Sequence, residues 1–225
     1  MSEWHYQRGR LIYRKLSTGV ERGREDWGLT RNRDGSRTLR CLAMTDDSKF
    51  VRDVTYTVGP DARPVDVLIR LQVGDAWVGS GYFATADESL RIVTDGAANG
   101  RTQQQVAVPE RFHVMTHAVM LDGWTFWAYD AGAGGEQTLT VYNTSTRWDG
   151  TDGPLGRLEP LRVTLIGEEE IAVPAGTFRA RHFLIASDVL DVPPSELWVT
   201  GEDNLLVRYV WQQFDLEYVL ASLAT

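Results

Sequence analysis

Residues 113–130 read HVMTHAVMLDGWTFWAYD. His113 and His117, two of the four histidines of the chain, stand four apart, and Trp124, Phe126, Trp127, Tyr129 and Asp130 follow. Histidine changes charge near neutral pH, tyrosine is a weak proton donor, and indole is a flat apolar wall with one N–H. Side chains of these types build metal sites, acid–base sites, ligand clamps and ordinary cores. On a helix, an i, i+4 pair lets two imidazoles share a metal. The helical zinc-protease pattern needs Glu directly after the first His, but Val114 stands there. A third ligand would have to come from His182, Asp130 or Glu110, and no spacing demands it. No bound metal is expected.

No cofactor is expected either. Gly79-Ser80-Gly81 lies in a strand pattern without the helix that follows a nucleophile elbow. The run AGAGG at 131–135 lacks the lysine and the strand-to-helix setting of a phosphate loop. Of 23 basic side chains only Lys15 and Lys49 are lysines, which disfavours Schiff-base chemistry. The groups left for chemistry are His117, His182, Tyr129 and Arg70, with Trp124, Trp127, Tyr209, Trp211 and Arg40 as candidate substrate contacts.

Composition narrows the partners. The chain has 225 residues, 43% hydrophobic and 24% charged, with a net charge of −8. A balance this acidic disfavours nucleic acid, which needs a basic face, and anionic membrane surfaces. One cysteine, Cys41, excludes an intramolecular disulfide. No apolar run approaches the ~18 residues of a membrane span. The start, MSEWHYQRGRLIYRK, has no apolar signal region. These features lead us to expect a cytoplasmic protein. Its expected partners are a small hydrophobic or aromatic ligand and, at most, a second copy of the chain in a homodimer.

What must position these groups is a β framework. In VDVLIRLQV (65–73), Val65, Val67, Ile69, Leu71 and Val73 fall on one face, with Asp66, Arg70 and Gln72 on the other. Strict alternation marks a half-buried strand. Similar units recur along the chain, separated by turns such as Gly74-Asp75, Asn32–Gly35 and Gly201–Asn204. The pattern predicts roughly twelve to fourteen strands. An antiparallel sheet of that size must curl or close into a barrel. The expectation is one all-β domain over 1–225, with one short helix near 110–120 where alternation fails. Long loops are expected at 131–136 and 144–160.

The stretches EEEIAVPAGTFRARHFLI, PSELWVTGEDNLLVRYVW and LEYVL, within residues 158–223, carry a resemblance. They are similar to the C-terminal half of a broad group of bacterial β-proteins of unknown function. The resemblance implies a curled antiparallel sheet like that of bacterial lipoprotein carriers. In overall look the chain also resembles cofactorless lyases of aromatic catabolism, without a motif to fix it.

Two functions follow as expectations. The first is a cofactor-independent lyase, hydratase or isomerase acting on a small aromatic compound inside the barrel. In it, His117 or His182 is the base, Tyr129 the donor and Arg70 the counter-charge. The second is a carrier or sensor of a hydrophobic small molecule or lipid. In both, segment 113–130 caps the barrel and brings His117, Trp124 and Tyr129 against a cavity shared with His182 and Tyr209.

Overall fold

A computed structural model describes residues 5–187 and 193–224. The first eight strands are β1 (His5–Lys15), β2 (Glu21–Arg31), β3 (Arg37–Thr45), β4 (Phe50–Val58), β5 (Pro64–Val73), β6 (Ala76–Ala86), β7 (Ser89–Gly96) and β8 (Gly100–Ala107). Then come β9 (His113–Met115), the helix α1 (Val119–Asp122) and a 3₁₀ segment, Gly123–Ala128. The chain continues through β10 (Glu136–Asn143), β11 (Arg157–Val173), β12 (Gly176–Ser187), β13 (Ser195–Thr200), β14 (Leu205–Trp211) and β15 (Leu216–Ala224). Most strands form where the sequence alternates, and β5 keeps Val67, Ile69 and Leu71 inside.

All of them belong to one 15-stranded sheet, with spatial order β8 through β1, then β15 back through β9. Neighbours are antiparallel hairpins, apart from the pairing of β1 with β15 and a short parallel ladder between β9 and β10. The sheet is a meander whose two edges, β8 and β9, are joined by residues 108–112 alone. Ala107 and His113 therefore lie no more than about 20 Å apart. That short link forces the sheet to curl until its edges nearly meet. Side chains cover the seam. Tyr142 packs on Phe83 at 5.7 Å, and its hydroxyl donates to Gln104 at 3.4 Å. Pro154 lies against Gly79 and Gly81, where any Cβ would collide with its ring.

Segment 112–129 departs from the expectation. The short helix exists, at Val119–Asp122, but His113 is not on it. His113 belongs to β9, paired with Val141 of β10, and His117 takes a left-handed φ of 60° in the connection. The two imidazoles therefore do not share a helix face. His113 Nδ1 meets the Tyr56 hydroxyl at 3.2 Å, and His117 Nε2 meets Asn143 Oδ1 at 2.8 Å. Among the described residues no cluster of three or more His, Cys, Asp or Glu is placed to hold a metal.

The segment fills the inside of the curl. Phe112, Val114, Met120, Leu121, Trp124 and Phe126 are buried in the main core, against residues of both halves of the sheet. What fixes this plug is polar. Glu25, fully buried on β2, accepts N–H bonds from Val119 at 2.8 Å and Met120 at 2.9 Å. It also accepts the Tyr13 hydroxyl at 2.6 Å. The free amides at the start of α1 thus find their acceptor on a neighbouring strand. Replacing Glu25 with Ala orphans three buried donors, and each buried orphan costs about 1–3 kcal/mol. Chemical denaturation should show a loss of about 3 kcal/mol or more. A loss under 1 kcal/mol would mean that the plug does not depend on this carboxylate.

Candidate functional site

Beside the plug lies a cavity of about 450 Å³. The plug contributes His117 and Asp122, β4 contributes Arg52, and β14 and β15 contribute Tyr209, Trp211 and Tyr218. Trp148, from the loop after β10, forms part of the wall, edge-on to Trp211 at 5.8 Å and stacked on Phe214 at 4.1 Å. Tyr218 contacts Tyr209 at 5.4 Å and Tyr13 at 4.7 Å, so phenol rings run unbroken to Glu25. The cavity therefore has aromatic walls and a few polar groups, the usual make-up of a small-molecule site.

Arg52 ties the cavity together. It is buried on β4 at a position that alternation assigns to the apolar face, in step with Phe50, Val54 and Tyr56. Its guanidinium donates to the carbonyl of His117 and to those of Asp149 and Gly150. It joins the plug to the loop that borders the cavity. Gly150 has a φ of 70°, and a Cβ there would strike both Arg52 and the His117 ring. Among the described residues Arg52 has no carboxylate within ion-pair distance.

The protonation of His117 follows from its partners. Asn143 Nδ2 donates to Glu159 Oε2 at 3.2 Å, and Asn143 Oδ1 accepts the Ser145 amide at 3.2 Å. The side-chain oxygen therefore faces His117, and Nε2 must carry the hydrogen. Nδ1 keeps its lone pair and has no partner among the described residues. Burial and the nearby Arg52 charge push His117 down to about 4, so the ring is neutral at pH 7. Asp122 behaves oppositely. Its Oδ1 is buried with no hydrogen-bond partner among the described residues. Burial, and then the charge of Glu25, hold its carboxyl well above the usual range, against the pull of Arg52. Burial also raises Tyr209 and Tyr218, keeping both phenols protonated.

Of the residues singled out in the sequence, His117, Tyr209 and Trp211 line the cavity. The others lie elsewhere. Trp124 is in the core, with its N–H on the Asp203 carbonyl at 3.0 Å. Tyr129 donates to the Gly135 carbonyl at 2.7 Å and packs on Phe183. Trp127 donates to the Glu202 carbonyl at 3.1 Å, under Arg37. Arg70 stands between buried Ile69 and Leu71, and Arg40 between buried Leu39 and Cys41, so strand parity turns both outward. His182 is next to buried Phe183 and faces the other way. It stacks on Trp198 at 4.1 Å between Glu196 at 3.0 Å and Glu169 at 3.3 Å. Arg52, Asp122, Tyr218 and Asn143 were not anticipated. Arg52 had a sequence signal, a charge on the apolar face of a strand.

No protein-family model and no curated protein matches the chain. Solved structures do. A β-barrel-like protein of the domain of unknown function DUF1849 from Brucella abortus aligns over 98% of this chain and 97% of its own. The TM-score is 0.54 and the identity 12%, so the likeness concerns the fold. A DUF1089 family protein from Pseudomonas aeruginosa aligns over 83% of this chain and 89% of its own, with a TM-score of 0.45 and 9% identity. The likeness to the Brucella protein supports a β-barrel-like, curled-sheet fold of the kind that the resemblance implied. The likeness to lyases finds no support in these comparisons.

The depressed histidines make stability pH-dependent. Unfolded histidine titrates near 6.5, whereas folded His113 is pushed down to about 3 by burial and His117 to about 4. The neutral form is favoured by folding, so stability is intact above pH 6.5 and falls as pH drops toward 4. Each ring contributes about 1.4 kcal/mol per pH unit in that window. Urea unfolding from pH 7 to 4.5 should show this slope flattened by about that amount in His113→Phe and in His117→Asn. Asn tolerates the left-handed φ at 117. Unchanged slopes would mean that these rings titrate normally.

Proposed function

We propose that the protein binds a small, flat, amphipathic molecule in this cavity and acts on it as a cofactor-independent enzyme of lyase, hydratase or isomerase type. One observation carries the reading. Asp122 and His117 line the same cavity, one held in its acid form and the other in its base form at neutral pH. Each has a reactive atom without a protein partner among the described residues. Groups whose surroundings drive their pKa values apart supply the acid and the base of a proton-transfer reaction. In this reading His117 Nδ1 takes a proton from one substrate atom and Asp122 gives one to another. Tyr218 holds a substrate oxygen, and Trp148 and Trp211 flank the ring. Acid and base are side chains, so the reaction needs no cofactor.

A carrier of the same class of molecule is the second reading, and one observation favours it. A histidine near 4 is a weak base at neutral pH, better suited to accepting a hydrogen bond than to removing a proton. Ligand-induced shifts in melting temperature across phenols, aromatic acids and cyclic ketones should find binders, which are then assayed for turnover. The enzyme reading expects kcat/KM to fall about 10²–10⁴-fold in His117→Asn and in Asp122→Asn. Activity should also decline at acid pH as His117 protonates and at high pH as Asp122 ionises. Compounds that bind and leave the wild-type protein unchanged would make it a carrier.

A further inference from the structure

The ligand-facing polar groups also say what charge the cavity receives. Arg52 brings a buried positive charge whose hydrogen bonds all go to backbone carbonyls and which lies over the Phe50 ring. Asp122 lines the cavity, and its carboxyl makes no hydrogen bond among the described residues. Tyr218 has no hydrogen bond to its hydroxyl among the described residues, and Tyr209 is engaged with Ser195. We propose, building on the binding function above, that the cavity takes a phenol or enol as its anion, with the oxygen received by the Asp122 carboxyl and the Tyr218 hydroxyl and its charge balanced by Arg52.

The argument is electrostatic. A buried ion is tolerated when its charge is matched, and Arg52 feels the carboxylates of Glu25 and Asp149 only from beyond ion-pair distance. An incoming oxyanion supplies that match. It also turns Asp122 from an orphaned group into a hydrogen-bond donor, because a carboxylic acid kept neutral in an apolar site can donate to an oxyanion. An ammonium ligand would need the opposite arrangement. Asp122 would have to ionise near Glu25, and the ammonium would sit in the field of Arg52. The titratable groups acting on Asp122 and its neighbours are Arg52, Arg22, Glu25, Asp149, Tyr13, Tyr209, Tyr218 and the Cys41 thiol, and Asp47 and Glu159 also line the cavity. Of these, Arg52 and Arg22 are guanidinium cations, and Arg22 is paired with Asp47. Trp148 and Trp211 provide flat faces for the ring that bears the oxygen.

The test uses three probes of one shape: 4-nitrophenol, its neutral methyl ether 4-nitroanisole, and 4-nitrobenzylamine. The phenolate of the first has its own visible band, so binding and ionisation are read together. At a pH one unit below the probe's own pKa, bound 4-nitrophenol should show the anion band, with its pKa lowered by a unit or more. That is at least a tenfold preference for the anion. Tyr218→Phe and Asp122→Leu should each weaken that preference about tenfold. Asp122→Asn, which keeps a donor, should restore much of it. Binding of 4-nitroanisole and of neutral 4-nitrophenol without an anion band would overturn the oxyanion proposal and leave the cavity as a binding site. Tighter binding of 4-nitrobenzylamine, lost in Asp122→Asn, would overturn it in favour of an ammonium site. Failure of all three probes to bind would overturn the binding function itself.

Discussion

The buried carboxylate of Glu25 is the contact on which the interior depends. A helix of four residues has no stability of its own, because nucleation is unfavourable and its first amides lack partners. Glu25 gives α1 an acceptor for two of those amides, and Tyr13 completes the set from β1. Burial raises the Glu25 pKa, while these three donors pull it down toward the ionised form. With α1 fixed, Asp122 at its end and His117 just before it have defined places. Arg52 makes the second tie by holding the His117 carbonyl together with two carbonyls of the loop that borders the cavity. One acid and one base from the sheet wall thus hold a segment that contributes only three residues to the sheet.

The same burial that makes Glu25 and Arg52 costly sets the chemistry of the cavity. In a low dielectric each ionisable group retreats to its neutral form unless a partner compensates. Glu25 has partners, whereas Asp122 Oδ1 has none. His117 has a partner for the nitrogen that is already protonated, and that bond leaves its other nitrogen basic. The outcome is a neutral donor and a neutral acceptor lining one aromatic cavity, with the Arg52 guanidinium among its walls. The fold shared with the Brucella protein does not carry this arrangement with it, because a likeness at 12% identity concerns the path of the chain.

Much of the framework was legible because period-2 alternation is a strong signal. The strand at 65–73 falls where the pattern placed it. The interrupted segment was also correctly singled out as the one that leaves the regular pattern. Its internal geometry was not legible. A three-residue strand paired in parallel with a later strand has no local signature, and the left-handed residue at His117 depends on tertiary contacts. For the site, residue type misled where position would have served. Arg70 attracted notice as a cation, although the alternation of VDVLIRLQV already put it on the polar face. Arg52 in FVRDVTYTV and Glu25 in EDWGL are charges on apolar faces, and that conflict was the readable sign of a polar interior. Asp122 carried no such sign, because its burial arises from packing of the plug against distant strands.

The claim at the centre of this account is that Asp122 stays a protonated acid inside the cavity at neutral pH. Difference infrared spectroscopy between the wild-type protein and Asp122→Asn measures it directly. The account predicts a carbonyl stretch of a protonated carboxylic acid at pH 7 that is present in the wild type and missing in the variant. A difference spectrum showing only the loss of ionised carboxylate bands would contradict it.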